Sequence, residues 1–426
     1  MAVDTPARIA ILGAGPIGLE AALYARYLGY DVDLYERGRV AENVLRWGHV
    51  RMFTPFVLNR STLGLAALKA QAPELALPGD DELLTGREWV ARYLQPLAQS
   101  DLIQDNLREQ TTVVAVSRAW MRKTETPGAE ERGEELFRLL VRTATGEERV
   151  EYADIVFDTT GVFGQPNWLG QGGIPAVGEI AARPHIEYGL PDVLGAERSR
   201  YAGKRVLVVG AGCSAATTVV ALAELAAQEP NTSIIWITRR PRDPQMPGPV
   251  PYLVDDGLPE RSRLAQAANA LAAGETPALR HIPGVAVDRV SYDAQEDCFH
   301  VTLSSLEELD IPDEQTFDRI VANVGYRPDN RIYEELQIHE CYATGAPMKL
   351  AAALQGAASA DSLNQAGADL QSLLNPEPNF YILGAKSYGR DSRFLYHVGL
   401  EQIRAVFTLI GDRKDLNLYE SAKSLL

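Results

Sequence analysis

Two glycine-rich stretches carry residue types at spacings that could hold a phosphate. In the first, Gly13-Ala14-Gly15-Pro16-Ile17-Gly18 follows the apolar run Ile9-Ala10-Ile11-Leu12 and leads into an Ala- and Leu-rich stretch, Leu19 to Leu28, closed by Gly29. The spacing predicts a buried parallel strand, a turn and a helix. Gly13 permits the tight turn, Gly15 lets backbone approach a pyrophosphate, and Gly18 lets helix and strand pack closely. The helix start, opened by Pro16 and Ile17, presents free N–H groups and a positive dipole end to an anion. Val32-Asp33-Leu34-Tyr35 reads as a second strand, closed by Glu36 with Arg37 beside it. A carboxylate at that distance accepts hydrogen bonds from a ribose. It repels a 2′-phosphate, so this site suits FAD or NAD rather than NADP.

The pattern recurs. Val206-Leu207-Val208-Val209 runs into Gly210-Ala211-Gly212-Cys213-Ser214-Ala215-Ala216, an Ala- and Val-rich helix extends to about Gln228, and Ile234-Ile235-Trp236-Ile237 is the next strand. Ala215 or Ala216 takes the third glycine's place, which the fingerprint tolerates. Where the first unit has an acid, the second has Thr238-Arg239-Arg240. Guanidinium groups recognise phosphate bidentately, which favours NADPH over NADH. The alternative for that pair is a solvated basic turn. Two dinucleotide units on one chain imply two cofactors, FAD on the first and NADPH on the second, with hydride passing between them.

The remaining reactive residue types form no compact motif. Cys213, Cys298 and Cys341 lie far apart, offer no CxxC pair and suit a reducing cytoplasm. Cys213 falls at a predicted helix N-terminus, where the dipole lowers a thiol pKa; the bland reading is a small residue in a tight turn. The six histidines cluster neither with one another nor with the cysteines, so no metal is expected. His49 and His397 are candidate proton donors, against the commoner role of a hydrogen-bonded structural histidine. Lys386 and Arg390 could bias flavin charge or hold an NADPH phosphate, or be solvated residues of a Gly-rich loop. His49, Arg51 and Lys386 are the catalytic candidates.

With these two units, the sequence resembles the two-dinucleotide-binding-domain flavoproteins, and among them most the flavin-containing monooxygenase branch. It is similar to the wider pyridine nucleotide-disulfide oxidoreductase superfamily, without the CxxC. Three further segments carry the resemblance. Asp154-Ile155-Val156-Phe157-Asp158-Thr159-Thr160-Gly161 is similar to the family's D-apolar-ATG strand and turn, which implies Thr160 and Gly161 at the FAD. Asp318 to Asp329, through Asn323-Val324-Gly325, is similar to the second such turn and implies Asn323 at the NADPH. Phe380-Tyr381-Ile382-Leu383-Gly384-Ala385 is similar to the strand and turn by the flavin ring and ribityl chain, which implies Gly384 there. Disulfide-reductase relatives carry Gly-Asp at that turn, so Gly384-Ala385 moves the chain away from them. A helix is expected from about Ser392 to Ile410, with Ile403, Val406, Phe407 and Ile410 on one face.

The family's loop against the isoalloxazine matches Asn43 to Pro55, and Thr54-Pro55 resembles its Ser/Thr-Pro element. That implies Trp47, Arg51 and Thr54 as FAD contacts, against the alternative of a hydrophobic loop with surface arginines. Arg183-Pro184-His185-Ile186-Glu187-Tyr188 is distantly similar to the monooxygenase fingerprint FxGxxxHxxx(Y/F), with its Phe and Gly missing. The resemblance weakens across residues 240–310 and 342–375.

The whole chain sets the frame. Its 426 residues suggest about two or three domains. The net charge of −16 argues against nucleic acid and against an anionic membrane surface as partners. No apolar run reaches the ~18 residues of a spanning helix. The expected fold class is α/β, two Rossmann-like dinucleotide-binding domains with the NADPH domain inserted into a split FAD domain. Its expected parts are residues 1–165 and 326–426 for FAD, 200–325 for NADPH and 166–199 as a connection. Pro241 to Pro259 is rich in proline and resists regular structure, as a lid over the nicotinamide would. Residues 351–374 read as one or two small helices, at the substrate pocket or a subunit contact.

The expectation for function is an FAD-dependent, NADPH-oxidising enzyme, a monooxygenase using a flavin-peroxide intermediate on a small organic substrate, with O₂ as co-substrate. Two alternatives stay open: a reductase, dehydrogenase or oxidase without oxygen insertion, and a non-catalytic flavoprotein redox sensor. The chain could be a homodimer as readily as a monomer.

Overall fold

The computed structural model describes residues 5–251, 255–274, 278–307, 314–356 and 370–426, together with Val3, Pro312 and Leu363. These fall into two compact units, one formed by Met1–Gln165 with Arg327–Leu426, the other by Pro166–Tyr326. Each glycine-rich stretch belongs to the parallel sheet of its own unit.

In the first unit, strand Arg8–Leu12 pairs in parallel with Asp31–Tyr35 on one side and Ile155–Asp158 on the other. Across its width the sheet runs Phe380–Ile382, Ile155–Asp158, Arg8–Leu12, Asp31–Tyr35, Leu107–Arg108. The central strand is apolar on both faces because both are covered. Ile9 and Ile11 pack with the helices Pro16–Tyr27 and Tyr396–Ile410; Ala10 and Leu12 pack against Val116, Phe137, Leu139 and Val141 of the antiparallel sheet formed by Thr111–Arg118, Phe137–Thr143 and Glu148–Ala153. The expected face of the C-terminal helix, Ile403, Val406, Phe407 and Ile410, is buried, and Phe407 stacks on Tyr24 with ring centroids 4.9 Å apart. That helix starts at Tyr396 rather than near Ser392. Before it, Asp391 accepts from the backbone N–H and the guanidinium of Arg393, a local turn that competes with helix.

In the second unit the parallel sheet runs Leu279–Pro283, Ser233–Thr238, Arg205–Val209, Arg319–Ala322. An antiparallel sheet of Val285–Asp293, Cys298–Ser305 and Gln315–Phe317 accompanies it. Residues 166–199, expected as a connection, lie within this unit. Parallel bridges join Gly170 to Val287, Val177 to Arg289 and Glu187 to Val321. The buried Glu179 carboxylate accepts from Leu169 N and Ala176 N, both at 2.8 Å, and from the Tyr188 hydroxyl at 2.7 Å, which fixes the segment in place. Pro241 to Leu258 holds turns and bends up to the helix Pro259–Ala273, with 252–254 outside the described residues. Of the stretch 351–374, helix Met348–Gly356 and the 3-10 turn Leu370–Leu373 are described, and 357–362 and 364–369 lie outside the described residues.

Two buried acids of the first unit behave in opposite ways. Glu377 receives Arg118 and Arg132, each at 2.8 Å, and the Gln337 N–H. Burial raises its pKa, but those three donors outweigh burial and the net shift is downward. Glu20, inside helix Pro16–Tyr27, has no cationic partner among the described residues. Its Oε1 accepts the hydroxyls of Tyr93 and Tyr396, both at 2.7 Å, and its Oε2 is buried without a partner. Burial dominates and raises its pKa above the ordinary 4.5. A pKa higher in the folded than in the unfolded chain gives stability that is complete below the unfolded value and lost as pH rises through the folded one. Replacing Glu20 by Gln should therefore leave the unfolding free energy near wild type at about pH 4 and raise it above wild type as pH climbs toward 8–9, measured by urea unfolding. A wild-type advantage that grows with pH would contradict this.

Candidate functional site

In each parallel sheet the chain first proceeds to one side of a central strand and then returns on the other. The crevice at that switch, outside the carboxyl ends of the strands, is where such sheets bind ligands. In the first unit it lies between Arg8–Leu12 and Ile155–Asp158, and Gly13-Ala14-Gly15 leaves the sheet there. Gly13 has φ +100°, and a Cβ on it would stand 3.0 Å from Thr159 O. A Cβ on Gly18 would stand 1.9 Å from Gly13 O, so strand and helix meet with no room for a side chain. Gly15 is different: a Cβ there meets nothing within 4 Å. Gly13 and Gly18 thus serve packing, while Gly15 faces the open side where an anion can approach. Helix Pro16–Tyr27 has no side-chain cap, so its first N–H groups are free for that anion.

Glu36 stands at the end of the neighbouring strand. Its Oε2 accepts Ala14 N–H and its Oε1 accepts Gly38 N–H, both at 2.9 Å. Burial raises its pKa, countered by those two donors. A carboxylate has about four acceptor positions, so two remain for a diol such as a ribose. Arg37 reaches toward Gly164, where an added Cβ would lie 2.9 Å from a guanidinium nitrogen.

The second unit repeats this cradle. Gly210 has φ +137°, and a Cβ on it would fall 2.2 Å from Asn323 O; Gly212, like Gly15, has nothing within 4 Å. The third glycine's position belongs to Ala215, which is buried with its Cβ 3.5 Å from the one Gly210 lacks. Helix Cys213–Gln228 also begins without a side-chain cap, with Ser214 in its first turn. Trp236 Nε1 donates to Gly210 O at 2.8 Å. Asn323 is a strut: its Oδ1 accepts the Thr218 hydroxyl at 2.8 Å and its Nδ2 donates to Gly189 O at 2.7 Å. Each amide atom thus has one protein partner, which fixes the side chain at the cradle and leaves one lone pair and one N–H.

Strand register locates the acid's counterpart. Leu12 pairs with Tyr35, and Gly13 N–H bonds Tyr35 O; Val209 pairs with Ile237, and Gly210 N–H bonds Ile237 O. Thr238 is therefore the counterpart of Glu36, with Arg239 and Arg240 after it. Among the described residues, the guanidinium groups of Arg239, Arg240 and Arg242 make no hydrogen bond or ion pair. The backbone beneath them is fixed, because Gly284 N–H donates to Arg240 O at 3.0 Å.

Around the first cradle, the residues expected from the family resemblance divide. Gly161 has φ +68° with open space about it. Gly384 has φ +73°, packs on Ile17 and donates its N–H to Gln402 Oε1 at 2.8 Å. Thr160 bonds Asp158 Oδ1 through N–H at 3.1 Å and hydroxyl at 2.6 Å. Lys386 is buried, and its Nζ donates to Asp158 Oδ2 at 2.5 Å, Thr160 Oγ1 at 3.2 Å and Asp329 O at 2.7 Å. Three acceptors saturate an ammonium group. Lys386 is therefore no free catalytic cation; it locks the Thr160-Gly161 turn to the Gly384 loop. Arg51 donates to Leu83 O and Thr54 is buried against Asn59, so both hold the loop's shape. Trp47 packs on Gly86, and its Nε1 is buried with no partner among the described residues, a donor open to a ligand. His49 lies half-buried beside it in sequence.

Asp158, Gln402 and Asn59 were not singled out from sequence. Gln402 had a signal: it is a polar residue on the apolar face of a helix, next to Ile403. The expectation for Cys213 fails in direction. The residue is exposed, yet the protein packed around its sulfur desolvates the thiolate more than Arg261 stabilises it, and the pKa is raised. His397 has a buried Nδ1 with no partner among the described residues, and burial lowers its pKa, which disfavours the protonated ring. His185 stacks on Tyr292 at 3.7 Å.

The fold has close counterparts. No family model matches the sequence, and no curated protein matches it. Among solved structures, bacillithiol disulfide reductase Bdr (YpdA) from Bacillus cereus superposes with a TM-score of 0.64 at 16% identity, covering 96% of this chain and 99% of that one. DfoA bound to FAD, the desferrioxamine biosynthetic pathway cadaverine monooxygenase from Erwinia amylovora, gives 0.62 at 14% identity, with 96% and 95% covered. Thioredoxin reductase from T. acidophilum gives 0.55 at 14% identity, with 94% and 97% covered. This chain has the two-dinucleotide-binding-domain flavoprotein fold. Those neighbours include disulfide reductases and a monooxygenase, so the shared fold leaves the reaction to be argued from this chain's residues.

The two kinds of glycine separate by experiment. Gly18→Ala should cost on the order of 1–3 kcal/mol in urea unfolding of the ligand-free protein, as an overpacked core does. Gly15→Ala should leave stability within ~0.5 kcal/mol, because its new methyl group meets no protein atom. Equal destabilisation by both would contradict the assignment.

Proposed function

We propose that this chain is an FAD-dependent, NADPH-oxidising oxidoreductase, with FAD on the first cradle and NADPH on the second. The observation that carries the reading is the pair of cradles. Each has an open middle glycine and an uncapped helix start, and at the ribose position they carry opposite chemistry, Glu36 in one and Thr238 followed by Arg239 and Arg240 in the other. FAD, when bound, supplies two-electron transfer between NADPH and an acceptor.

The protein's part is binding and orientation. Gly15 and the first turn of helix Pro16–Tyr27 receive the pyrophosphate, and Glu36 accepts from ribose hydroxyls. The Asp158–Lys386–Thr160 lock, with Gln402 holding Gly384 N–H, fixes the two turns that border the flavin. Because Lys386 is neutralised by Asp158, charge near the flavin is set by backbone dipoles and the uncapped start of helix Tyr396–Ile410 rather than by a free lysine. On the second cradle, uncharged Thr238 removes the repulsion an acid would exert on a 2′-phosphate.

For the acceptor, the reading favours oxygen insertion into a small organic molecule, with O₂ as co-substrate. Reduction of a substrate disulfide by a thiol pair finds no support, since Cys213, Cys298 and Cys341 are all free thiols widely spaced along the chain. No described helix is long and apolar enough to cross a membrane.

Two outcomes are expected. Arg239→Ala and Arg240→Ala should each reduce the kcat/KM preference for NADPH over NADH about 10-fold or more, the scale of one charge-assisted hydrogen bond, while leaving NADH turnover unchanged. With the right nucleophilic or carbonyl substrate, oxygenated product should match NADPH consumed, and H₂O₂ should fall as product rises. Stoichiometric H₂O₂ with every substrate, or substrate reduction without O₂, would replace the oxygenase by an oxidase or reductase.

A further inference from the structure

The second cradle holds a residue that the two arginines do not account for. His281, on the edge strand Leu279–Pro283, pairs with Trp236 in the backbone register and carries its ring to the end of the neighbouring strand, where Nε2 lies 3.0 Å from Thr238 Oγ1. Thr238 occupies the position of Glu36, the ribose-binding carboxylate of the first unit, and is 2% exposed, whereas His281 is only partly covered. The ring is flanked by Trp236, centroids 4.8 Å apart, and Arg242 is close enough to act on it electrostatically. The polar floor of the ribose position is thus a Thr–His pair, with Arg242 near the ring and Arg239 and Arg240 next to Thr238 in sequence.

Resting on the NADPH reading above, we propose that His281 is a specificity-determining residue of the second cradle: with Thr238 as its support, it donates a hydrogen bond to the adenosine 2′-phosphate that Arg239, Arg240 and Arg242 surround. In the tautomer where the Thr238 hydroxyl donates to Nε2, the neutral ring carries its proton on Nδ1, which is left to donate. An acid at Thr238 would hold the ribose diol and exclude the phosphate. The Thr–His pair reverses both effects, since it accepts no second hydroxyl in the manner of a carboxylate and offers a donor instead. Burial and Arg242 lower the His281 pKa to about 4, so the free protein carries no additional charge there. Its contribution is a directed donor, distinct from the charge attraction of the arginines.

The test compares adenosine 2′,5′-bisphosphate with adenosine 5′-monophosphate, which differ only in the 2′-phosphate, by titration calorimetry on the full chain. Wild type should prefer the bisphosphate by about 100-fold or more. In His281→Asn the preference should fall about 5- to 10-fold with the monophosphate affinity unchanged, and Thr238→Val, which frees the ring, should move the same way. A structural role would weaken both ligands alike or neither. An unchanged ratio in a folded His281→Asn protein, with Arg239→Ala still lowering it, would overturn the role of His281 and leave the NADPH reading standing. A wild type that does not distinguish the two ligands would overturn both. Should His281→Asn fail to fold, diethyl pyrocarbonate labelling of wild type decides. The bisphosphate should protect His281 and the monophosphate should not; equal labelling with either would overturn the proposal.

Discussion

The architecture of both units depends on one steric constraint, the close approach of backbone to backbone at the switch point of a parallel sheet. Where Gly18 meets Gly13 O there is no space for a Cβ, and Gly210 meets Asn323 O in the same way. This closeness aims a helix start at the crevice and leaves its N–H groups uncapped. It also places the end of the second strand, Glu36 or Thr238, within reach of the same crevice. The two cradles follow from packing, and their chemistry is then set by a few side chains at their rims.

Those rim residues are supported by buried polar bonds that the apolar pattern does not reveal. Lys386 and Asp158 neutralise each other inside the first unit, and together they hold turns far apart in the chain. Breaking such a pair exposes an uncompensated buried charge, which typically costs ~3–5 kcal/mol. Keeping it therefore makes the position of Thr160-Gly161 relative to Gly384 a property of the folded unit rather than of any ligand. Glu179 does the same work in the second unit by gathering Leu169, Ala176 and Tyr188.

The glycine cradles were legible in sequence because short-range rules govern them. A run of four apolar residues, three small residues and a helix start leave little freedom, and Ile9–Leu12, Gly13, Gly18 and Glu36 sit as their spacing required. The C-terminal helix was legible from its apolar face, though its start was not, since the Asp391–Arg393 turn is a local competition of side chains with backbone. What sequence could not give is which charges are consumed within the protein. Lys386 reads as a free cation in a Gly-rich loop until Asp158, distant in sequence, is seen beside it. Asn323 likewise reads as a ligand alone until its bonds to Thr218 and Gly189 show that it also braces the protein. The Cys213 thiol pKa is raised rather than lowered because the protein around its sulfur, invisible to spacing, desolvates the thiolate.

The central claim is that the two cradles divide one redox reaction between a bound flavin and a 2′-phosphorylated nicotinamide. It is tested most directly by anaerobic titration of the purified, FAD-loaded protein while the flavin absorbance is followed. About one equivalent of NADPH should bleach the flavin completely, and the same amount of NADH should act far more slowly. A protein that retains no FAD, or a flavin that NADPH leaves oxidised, would contradict the account.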